Sequence, residues 1–109
     1  MKKSKWGRIV NIGSSSGYNG FKNGTAYCSS KHALLGFSRA LFAELKDNNV
    51  RVYSISPGST QTKMGKLSKD QKFETFLEPK EVAEYVEFVI RFEKQLVSEE
   101  IRLNRIQMK

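Results

Sequence analysis

The sequence contains few of the residues on which several classes of protein depend. Its 109 residues include one cysteine, two prolines and one histidine. The single cysteine, Cys28, excludes an internal disulfide and fits a reducing compartment, so we expect a cytoplasmic protein. The absence of any Cys/His spacing suited to zinc argues against a metal site. No apolar run approaches the roughly 18–20 residues that span a bilayer, and we expect no signal peptide among the basic residues at the N-terminus.

Acidic residues are also scarce. The chain has 11 Asp and Glu against 19 Lys and Arg, a formal net charge of +8 at pH 7. A basic balance favours anionic partners such as nucleotide phosphates, acidic proteins or nucleic acid. The positive residues are spread along the chain without an aromatic-interleaved RNA motif or a recognition helix. A solvated basic surface is therefore preferred over nucleic-acid binding, in a single globular domain.

Strand-like and helix-like segments alternate along the first half of the chain. Residues 8–12 are rich in β-branched residues, and their apolar residues do not alternate strictly, which predicts a central strand of a parallel sheet with both faces covered. A helix is predicted from about Ala26 to Asp47, and residues 50–55 are predicted to form a second strand. The helix is expected to end at Asp47-Asn48-Asn49, because asparagine tolerates the left-handed conformation of a helix cap. Its apolar residues at helical spacing are Leu34, Phe37, Leu41 and Leu45.

The second half of the chain predicts two more helices and a third strand. Ser68 and Gln71 form a capping-box pattern, which predicts that a short helix begins at Lys69. Pro79 is predicted at the first position of a further helix, and residues 100–106 are predicted to form a third strand. This order of elements predicts an α/β domain with a parallel sheet and right-handed crossovers. The inner face of the further helix is expected to carry Val82, Val86, Val89 and Ile90.

Three reactive side chains are predicted to converge at one strand-to-helix junction. Tyr27 and Lys31 are four residues apart, so a helix places both on one face, one turn from each other. Ser14 ends the first strand, 27 − 14 = 13 residues before the tyrosine. A Tyr-x-x-x-Lys pair alone arises by chance in roughly one in five chains of this length, and short hydroxyls in turns often bond nearby backbone. Ser15 and Ser16 remain alternatives to Ser14 in the serine role.

These residues and a third stretch resemble a known family. Residues 7–17 look like the catalytic-serine strand of short-chain dehydrogenases/reductases, and residues 27–31 are similar to their Tyr-x-x-x-Lys motif. Residues 57–62, Pro-Gly-Ser-Thr-Gln-Thr, look like the Pro-Gly-x-x-x-Thr loop that lies against the nicotinamide. Residues 1–109 thus resemble the C-terminal half of that domain, close in character to the 3-oxoacyl-(acyl-carrier-protein) reductase type. The resemblance implies a partial Rossmann-type, doubly wound parallel sheet of about three strands with flanking helices.

The resemblance also implies an oxidoreductase that reduces a carbonyl or oxidises an alcohol with NAD or NADP. Tyr27 would be the general acid/base that passes a proton to the carbonyl oxygen. A free phenol has a pKa of about 10, too high for this work near neutrality, and an ammonium such as that of Lys31 favours the phenolate. Ser14 would donate a hydrogen bond where negative charge grows on the carbonyl oxygen. The implied catalytic residues are Ser14, Tyr27 and Lys31.

The cofactor site implied by the resemblance surrounds the nicotinamide. In the family the lysine also bonds the ribose hydroxyls, and the Pro-Gly loop shapes the nicotinamide pocket and holds its carboxamide. Asn11 and Ile12 would line the cofactor side of the first strand. The implied cofactor-binding residues are Asn11, Tyr27, Lys31, Pro57, Gly58, Thr60 and Thr62.

The Gly-rich turn with which the family holds its dinucleotide is missing from this sequence. In the family it belongs to an N-terminal half, so we expect a truncated or split reductase. The alternative is a catalytically inactive remnant that acts as an association module. An N-terminal half would also flank residues 9–12, so we expect self-association or pairing with a polypeptide that carries that half. The helix predicted at Ala26–Asp47 corresponds to one in the family's dimer interface, which supports the same expectation.

The expected substrate is a small-molecule carbonyl or alcohol, with neither nucleic acid nor a membrane as partner. In the family, the loop corresponding to residues 64–77 closes over the substrate. Lys63, Lys66, Lys69 and Lys72 place positive charge there, either for an acidic group or carrier protein or, more simply, as a solvated face. The residues that select NAD or NADP belong to the N-terminal half, so the sequence is compatible with either dinucleotide.

Overall fold

Strands and helices alternate in the computed structural model, which describes residues 1–67 and 71–106. The predicted helix start at Ser68–Lys69 lies outside the described residues, and the first described turn after it is a 3-10 turn at Phe73–Thr75. None of the helices in the described ranges is long and apolar enough to cross a membrane. The elements are β1 (Gly7–Ile12), α1 (Thr25–Leu45), β2 (Val50–Pro57), α2 (Pro79–Ile90) and β3 (Glu100–Leu103), with further 3-10 turns at Ser15–Gly17, Lys46–Asn48 and Gly65–Leu67.

The strands form one parallel sheet in the order β1-β2-β3. Ile12 pairs in register with Ile55, and Ser54 pairs with Glu100 on the other side of β2. β2 is the central strand, and its residues 50–56 are buried. β1 is an edge of the described sheet, and its Ile12 side chain is 49% exposed. The predicted central position of β1 is therefore wrong for the described residues, because the strand that both helices cover is β2.

The two helices cover opposite faces of the sheet. On one face, Asn11 donates a hydrogen bond to Ser38 of α1 at 2.8 Å. On the other face, Tyr53 and Ile55 pack with Val89 of α2 in the buried apolar cluster. The strands follow one another across the sheet in chain order, but α1, which connects β1 to β2, and α2, which connects β2 to β3, lie on opposite faces of it. The two crossovers therefore have opposite hands. The prediction that both crossovers are right-handed, which is the strong general tendency, is therefore wrong.

Helix α2 begins as the sequence predicts. Pro79 occupies the first turn, where its missing N–H leaves no intrahelical bond unmade. Val89 is buried, and Val86 and Ile90 pack against the same apolar cluster. Val82 is half-buried. The predicted inner face is thus confirmed for the three residues nearest the C-terminal end of the helix, where the helix meets β2.

Helix α1 is apolar on more than its buried face. Its connection to β2 ends at Asn49 in the left-handed conformation, with φ of 56°, as predicted. The buried residues of the helix are Cys28, Leu35 and Ser38, whereas Phe37 is 55% exposed. The buried face therefore differs at Phe37 from the apolar series predicted by spacing. A helix with apolar or small side chains on two faces does not reveal by spacing alone which face the sheet covers.

Two arginines that lie opposite each other in the sheet anchor the segment between α2 and β3. Arg8 and Arg51 pair in register, and like charges in that position repel. Arg51 is buried and donates to three backbone carbonyls in residues 92–96. Arg8 forms an ion pair with Glu93 at 2.7 Å. Carbonyls at and beyond a helix C-terminus carry partial negative charge, so they stabilise the guanidinium of Arg51 and hold the chain that leads into β3.

The phenol of Tyr53 provides a test of the apolar packing. Its side chain is fully buried, and its hydroxyl has no hydrogen-bond partner among the described residues. A buried unsatisfied hydroxyl costs roughly 1–3 kcal/mol, so we expect Tyr53→Phe to raise the free energy of unfolding by about 1 kcal/mol in urea denaturation. Tyr85→Phe, at an exposed tyrosine of α2, is the matched control and should change it by less than about 0.5 kcal/mol. A loss of stability in Tyr53→Phe would contradict the conclusion that the Tyr53 hydroxyl has no hydrogen-bond partner.

Candidate active site

A cleft of about 610 Å³ opens beyond the carboxyl ends of β1 and β2. Ligands of open α/β sheets bind at this edge. None of the described residues that line the cleft carries a charged side chain. The lining residues are Gly13, Ser14, Ser15, Ser16, Phe21, Tyr27, Pro57, Gly58, Ser59, Thr60, Thr62, Met64, Gly65, Leu67, Gln71 and Phe76.

Ser14 begins the serine turn, defined as residues 14–17, immediately beyond β1. It is the cap of the 3-10 turn that follows, and its Oγ accepts a hydrogen bond from the Ser16 N–H at 3.1 Å. Because this bond uses an oxygen lone pair, the hydroxyl hydrogen of Ser14 can still be donated. Ser15 and Ser16 line the same cleft. The structure therefore brings the predicted serine into the site and leaves both alternatives beside it.

Tyr27 and Lys31 lie one turn apart at the start of α1. The Nζ of Lys31 is 5.6 Å from the centroid of the Tyr27 ring, within reach of a cation–π interaction. Tyr27 lines the cleft, but Lys31 does not. The serine turn packs on this part of the helix at Gly17, where a Cβ would lie 3.2 Å from the carbonyl oxygen of Lys31. A residue without a side chain at position 17 therefore lets the turn that carries Ser14 approach the helix that carries Tyr27.

The loop after β2 brings its predicted residues to the cleft. Pro57, Gly58, Thr60 and Thr62 all line it. The Gly58 N–H donates to Leu103 O at 2.8 Å, which ties the loop to β3. The hydroxyl of Thr60 donates to Gly58 O at 3.0 Å, and that of Thr62 accepts from the Gly65 N–H at 3.0 Å. The loop is thus held by its own hydrogen bonds in a shape that faces the serine turn.

Asn11 and Ile12 lie outside the cleft lining. The amide of Asn11 points to α1, where it donates to Ser38 Oγ at 2.8 Å. Ile12 is half exposed at the edge of the described sheet. Of the predicted cofactor-binding residues, the cleft therefore gathers Tyr27 and the loop after β2, whereas Asn11 is engaged with the adjacent helix and Lys31 is not part of the lining.

Sequence reasoning missed one residue of the apolar part of the cleft. Met64, Leu67 and Phe76 line the cleft and belong to the loop at residues 64–77, whereas Phe21, which also lines it, was not predicted. Phe21 is 57% exposed, and its ring centroid is 6.4 Å from that of Tyr27. The sequence carries no signal for it, because the close approach of the Phe21 ring to Gly24 is visible only in the folded chain. An aromatic residue in a glycine-rich loop can thus pack directly on a helix start.

Three of the four basic residues predicted near the substrate loop are described, and these three do not line the cleft. Lys63, Lys66 and Lys72 are exposed, and the Nζ of Lys66 lies 5.6 Å from the centroid of the Phe73 ring. Lys69 lies outside the described residues. Within residues 1–67 and 71–106, no group of His, Cys, Asp and Glu side chains could hold a metal ion. Among the described lining residues, the polar groups available in the cleft are therefore hydroxyls, a phenol, the side-chain amide of Gln71 and backbone groups.

A network of hydrogen bonds connects the serine turn to β3. The hydroxyl of Tyr18 donates to Glu100 Oε1 at 3.2 Å, and Arg39 of α1 donates to both oxygens of the same carboxylate, at 2.6 and 3.0 Å. The hydrogen bond from Arg39 lowers the pKa of Glu100. Burial, followed by the charge of Glu100, raises the pKa of Tyr18. At neutral pH a neutral phenol therefore donates to a charged carboxylate.

Comparison with known proteins places the chain beside reductases. A family profile described as short chain dehydrogenase matches residues 1–72. The chain is 39% identical over 98 residues to the 3-oxoacyl-(acyl-carrier-protein) reductase of Aquifex aeolicus, covering 82% of this chain and 40% of that protein. It is 38% identical over 96 residues to carbonyl reductase family member 4 of Xenopus laevis, covering 83% of this chain and 41% of that protein. The chain thus spans about 40% of the length of these relatives.

Solved structures share the architecture. A β-ketoacyl reductase of Bacteroides thetaiotaomicron superimposes with a TM-score of 0.80 at 28% identity, covering 97% of this chain and 44% of that one. A 4-hydroxyisoleucine dehydrogenase complexed with NADH superimposes with a TM-score of 0.77 at 32% identity, covering 94% of this chain and 47% of that one. The predicted partial Rossmann-type parallel sheet of three strands with flanking helices is thus confirmed.

The ion pair between Arg39 and Glu100 predicts a pH dependence of stability. Because folding lowers the pKa of Glu100 from its ordinary value of 4.5, the stabilisation is complete above about pH 4.5 and is lost as the pH falls through the folded-state pKa. We expect Glu100→Gln to lower the melting temperature at pH 7, and we expect this deficit to shrink as the pH falls below about 4.5. Glu84→Gln, at an exposed carboxylate of α2, is the matched control. If the melting temperature of Glu100→Gln were below that of the wild type by the same amount at pH 7 and at pH 3, the ion pair would not be the source of the stabilisation.

Proposed function

Since the chain belongs to the short-chain dehydrogenase family, we propose that it carries the catalytic residues of an NAD(P)-dependent oxidoreductase that interconverts a carbonyl and an alcohol. The observation that carries the proposal is the gathering of Ser14, Tyr27 and the loop at residues 57–62 around one cleft whose described lining residues carry no charged side chain. The reductase names of the relatives support the reaction class. A cytoplasmic location belongs to the same proposal and is supported by the free, buried thiol of Cys28.

Tyr27 transfers the proton in this proposal. In the reducing direction its phenol donates a proton to the carbonyl oxygen as the carbon accepts a hydride, so that the carbonyl becomes an alcohol. The Lys31 ammonium, 5.6 Å from the ring centroid, stabilises the phenolate that remains. Ser14 donates its hydroxyl hydrogen to the same oxygen as negative charge develops there. Its bond from the Ser16 N–H orients the Ser14 oxygen for this role.

The cleft residues fit the nicotinamide end of a dinucleotide. A carboxamide is uncharged and needs hydrogen-bond partners, and the described lining offers hydroxyls and backbone groups without a charged side chain. Gly58, Thr60 and Thr62 would hold that carboxamide, and Lys31 would reach toward the ribose. When bound, the reduced nicotinamide supplies the hydride. NAD and NADP are both compatible with these residues, and the complex of a 4-hydroxyisoleucine dehydrogenase with NADH supports a nicotinamide cofactor.

The free edge of β1 supports association with a further polypeptide. β1 pairs only with β2 among the described strands, and its other edge presents backbone groups available for pairing. We propose that a polypeptide carrying a Gly-rich dinucleotide half adds a strand there, with self-association as the second possibility. The exposed Phe37 of α1 supports self-association. A catalytically inactive association module is the alternative function, and the same two features favour it.

The reductase proposal predicts a large effect of removing one hydroxyl. The chain is mixed with a separately produced N-terminal half of the Aquifex aeolicus reductase, and oxidation of NADH or NADPH is followed with ethyl acetoacetate. We expect Tyr27→Phe to lower turnover by about 10²–10⁴-fold, the usual contribution of a general acid, with little change in cofactor affinity. Tyr85→Phe should retain full turnover. Unchanged turnover in Tyr27→Phe would exclude the proposed role of the phenol.

Titration with the cofactor distinguishes the proposed oxidoreductase from the catalytically inactive association module. Calorimetry with NADH and NADPH is performed on the chain with and without the N-terminal half. Binding in the mixture supports the oxidoreductase, whereas binding in neither setting supports the association module.

Association through the β1 edge predicts a specific response to charge. We expect light scattering to report a mass above that of a 12.4 kDa monomer, because an uncovered strand edge recruits another strand. Ile12→Lys places a charge on that edge and should shift the population toward monomer. Ile106→Lys, at a fully exposed position, is the matched control and should leave the mass unchanged. A stable wild-type monomer would contradict self-association.

A further inference from the structure

Tyr18 is attached to the serine turn by its backbone. It follows the 3-10 turn Ser15–Gly17, and its N–H donates to Ser15 O at 3.1 Å. Its side chain leaves the turn and donates to Glu100 Oε1 at 3.2 Å, a contact across 82 residues of sequence. The turn that carries Ser14 is thus connected through one phenol to the first residue of β3.

The acceptor of this bond is itself held in place. Arg39 of α1 contacts Glu100 through two nitrogens, at 2.6 and 3.0 Å, a bidentate arrangement that restricts the carboxylate in direction as well as distance. The guanidinium of Arg102 lies 4.3 Å from the centroid of the Tyr18 ring. Glu99 lines the same shallow cavity as Arg39 and Glu100. Charged groups from α1 and β3 therefore surround the phenol and its acceptor.

The other contacts of the turn are short-range or involve α1 and β2. The Ser16 N–H donates to Ser14 Oγ, and the Gly17 N–H donates to Ser14 O at 2.9 Å. Gly17 packs on the backbone of Lys31. These contacts shape the turn and set its distance from α1, but none of them connects it to β3. The phenol of Tyr18 supplies that connection.

We propose that Tyr18 is a positioning residue, which ties the serine turn to α1 and β3 through Glu100 and so holds the Ser14 hydroxyl at a defined place beside Tyr27. The consequence for catalysis rests on the proposed function, whereas the positioning itself does not. Loss of the phenol hydroxyl should loosen the turn locally and leave the buried sheet intact.

Amide hydrogen exchange measured by NMR on the full chain tests the positioning. The reporter is the Ser16 N–H, because it bonds the Ser14 hydroxyl oxygen, and the reference is the N–H of Ile55 in the buried central strand. We expect Tyr18→Phe to raise the exchange rate at Ser16 by about fivefold, the effect of losing one hydrogen bond. The rate at Ile55 should stay unchanged, and Tyr85→Phe should alter neither rate. A general loss of stability would raise both rates together.

Two substitutions of the acceptor complete the test. Glu100→Gln keeps an oxygen that can accept from the Tyr18 phenol, so it should raise the Ser16 rate less than Glu100→Leu, which has no acceptor. The proposal would be overturned if the Ser16 N–H exchanged at the same rate in wild type and in Tyr18→Phe. It would also be overturned if Tyr18→Phe raised the exchange rates at Ser16 and Ile55 in parallel. No cofactor or substrate is present in this experiment. An inactive reductase assay would therefore leave the positioning result intact, and unchanged exchange would leave the proposed function intact.

Discussion

The in-register parallel pairing of β1 with β2 is the constraint on which the candidate site depends. Ile12, the last residue of β1, lies opposite Ile55, two residues before β2 ends at Pro57, and the Gly13 N–H extends the ladder by donating to Ile55 O at 2.7 Å. The serine turn and the Pro57 loop therefore leave the sheet side by side. A shift of one residue would turn every side chain of β1 to the other face, and the two walls of the cleft would no longer face each other.

Burial of β2 between two helices gives its faces different chemistry. Tyr53 and Ile55 join the apolar cluster under α2. The opposite face presents Ser54 and Ser56, both buried beneath the α1 side of the sheet. Small side chains let a helix approach a sheet closely, and α1 begins at the cleft, so this approach brings Tyr27 to the strand ends. The same face carries Glu100 in register with Ser54, which places the Arg39–Glu100 pair next to the serine turn.

Much of this arrangement was accessible from local sequence patterns, and the failures share one cause. The left-handed Asn49, the first-turn position of Pro79 and the family resemblance carried by three motifs are confirmed, because each depends on residues close together in the chain. The central position predicted for β1 and the common hand predicted for the crossovers are wrong. Both depend on which elements become neighbours, and a strand's composition does not identify its neighbours.

The sequence by itself determined the order of strands and helices, the helix that carries Tyr27 and Lys31, and the loop chemistry around Ser14 and Pro57, because periodicity, caps and turn residues act over a few positions. The tertiary structure alone decided that Asn11 engages Ser38, that Phe21 packs over the helix start, and that Tyr18 meets Glu100. These contacts join residues up to 82 positions apart. Their geometry follows from the register and packing of the sheet, which no local pattern specifies.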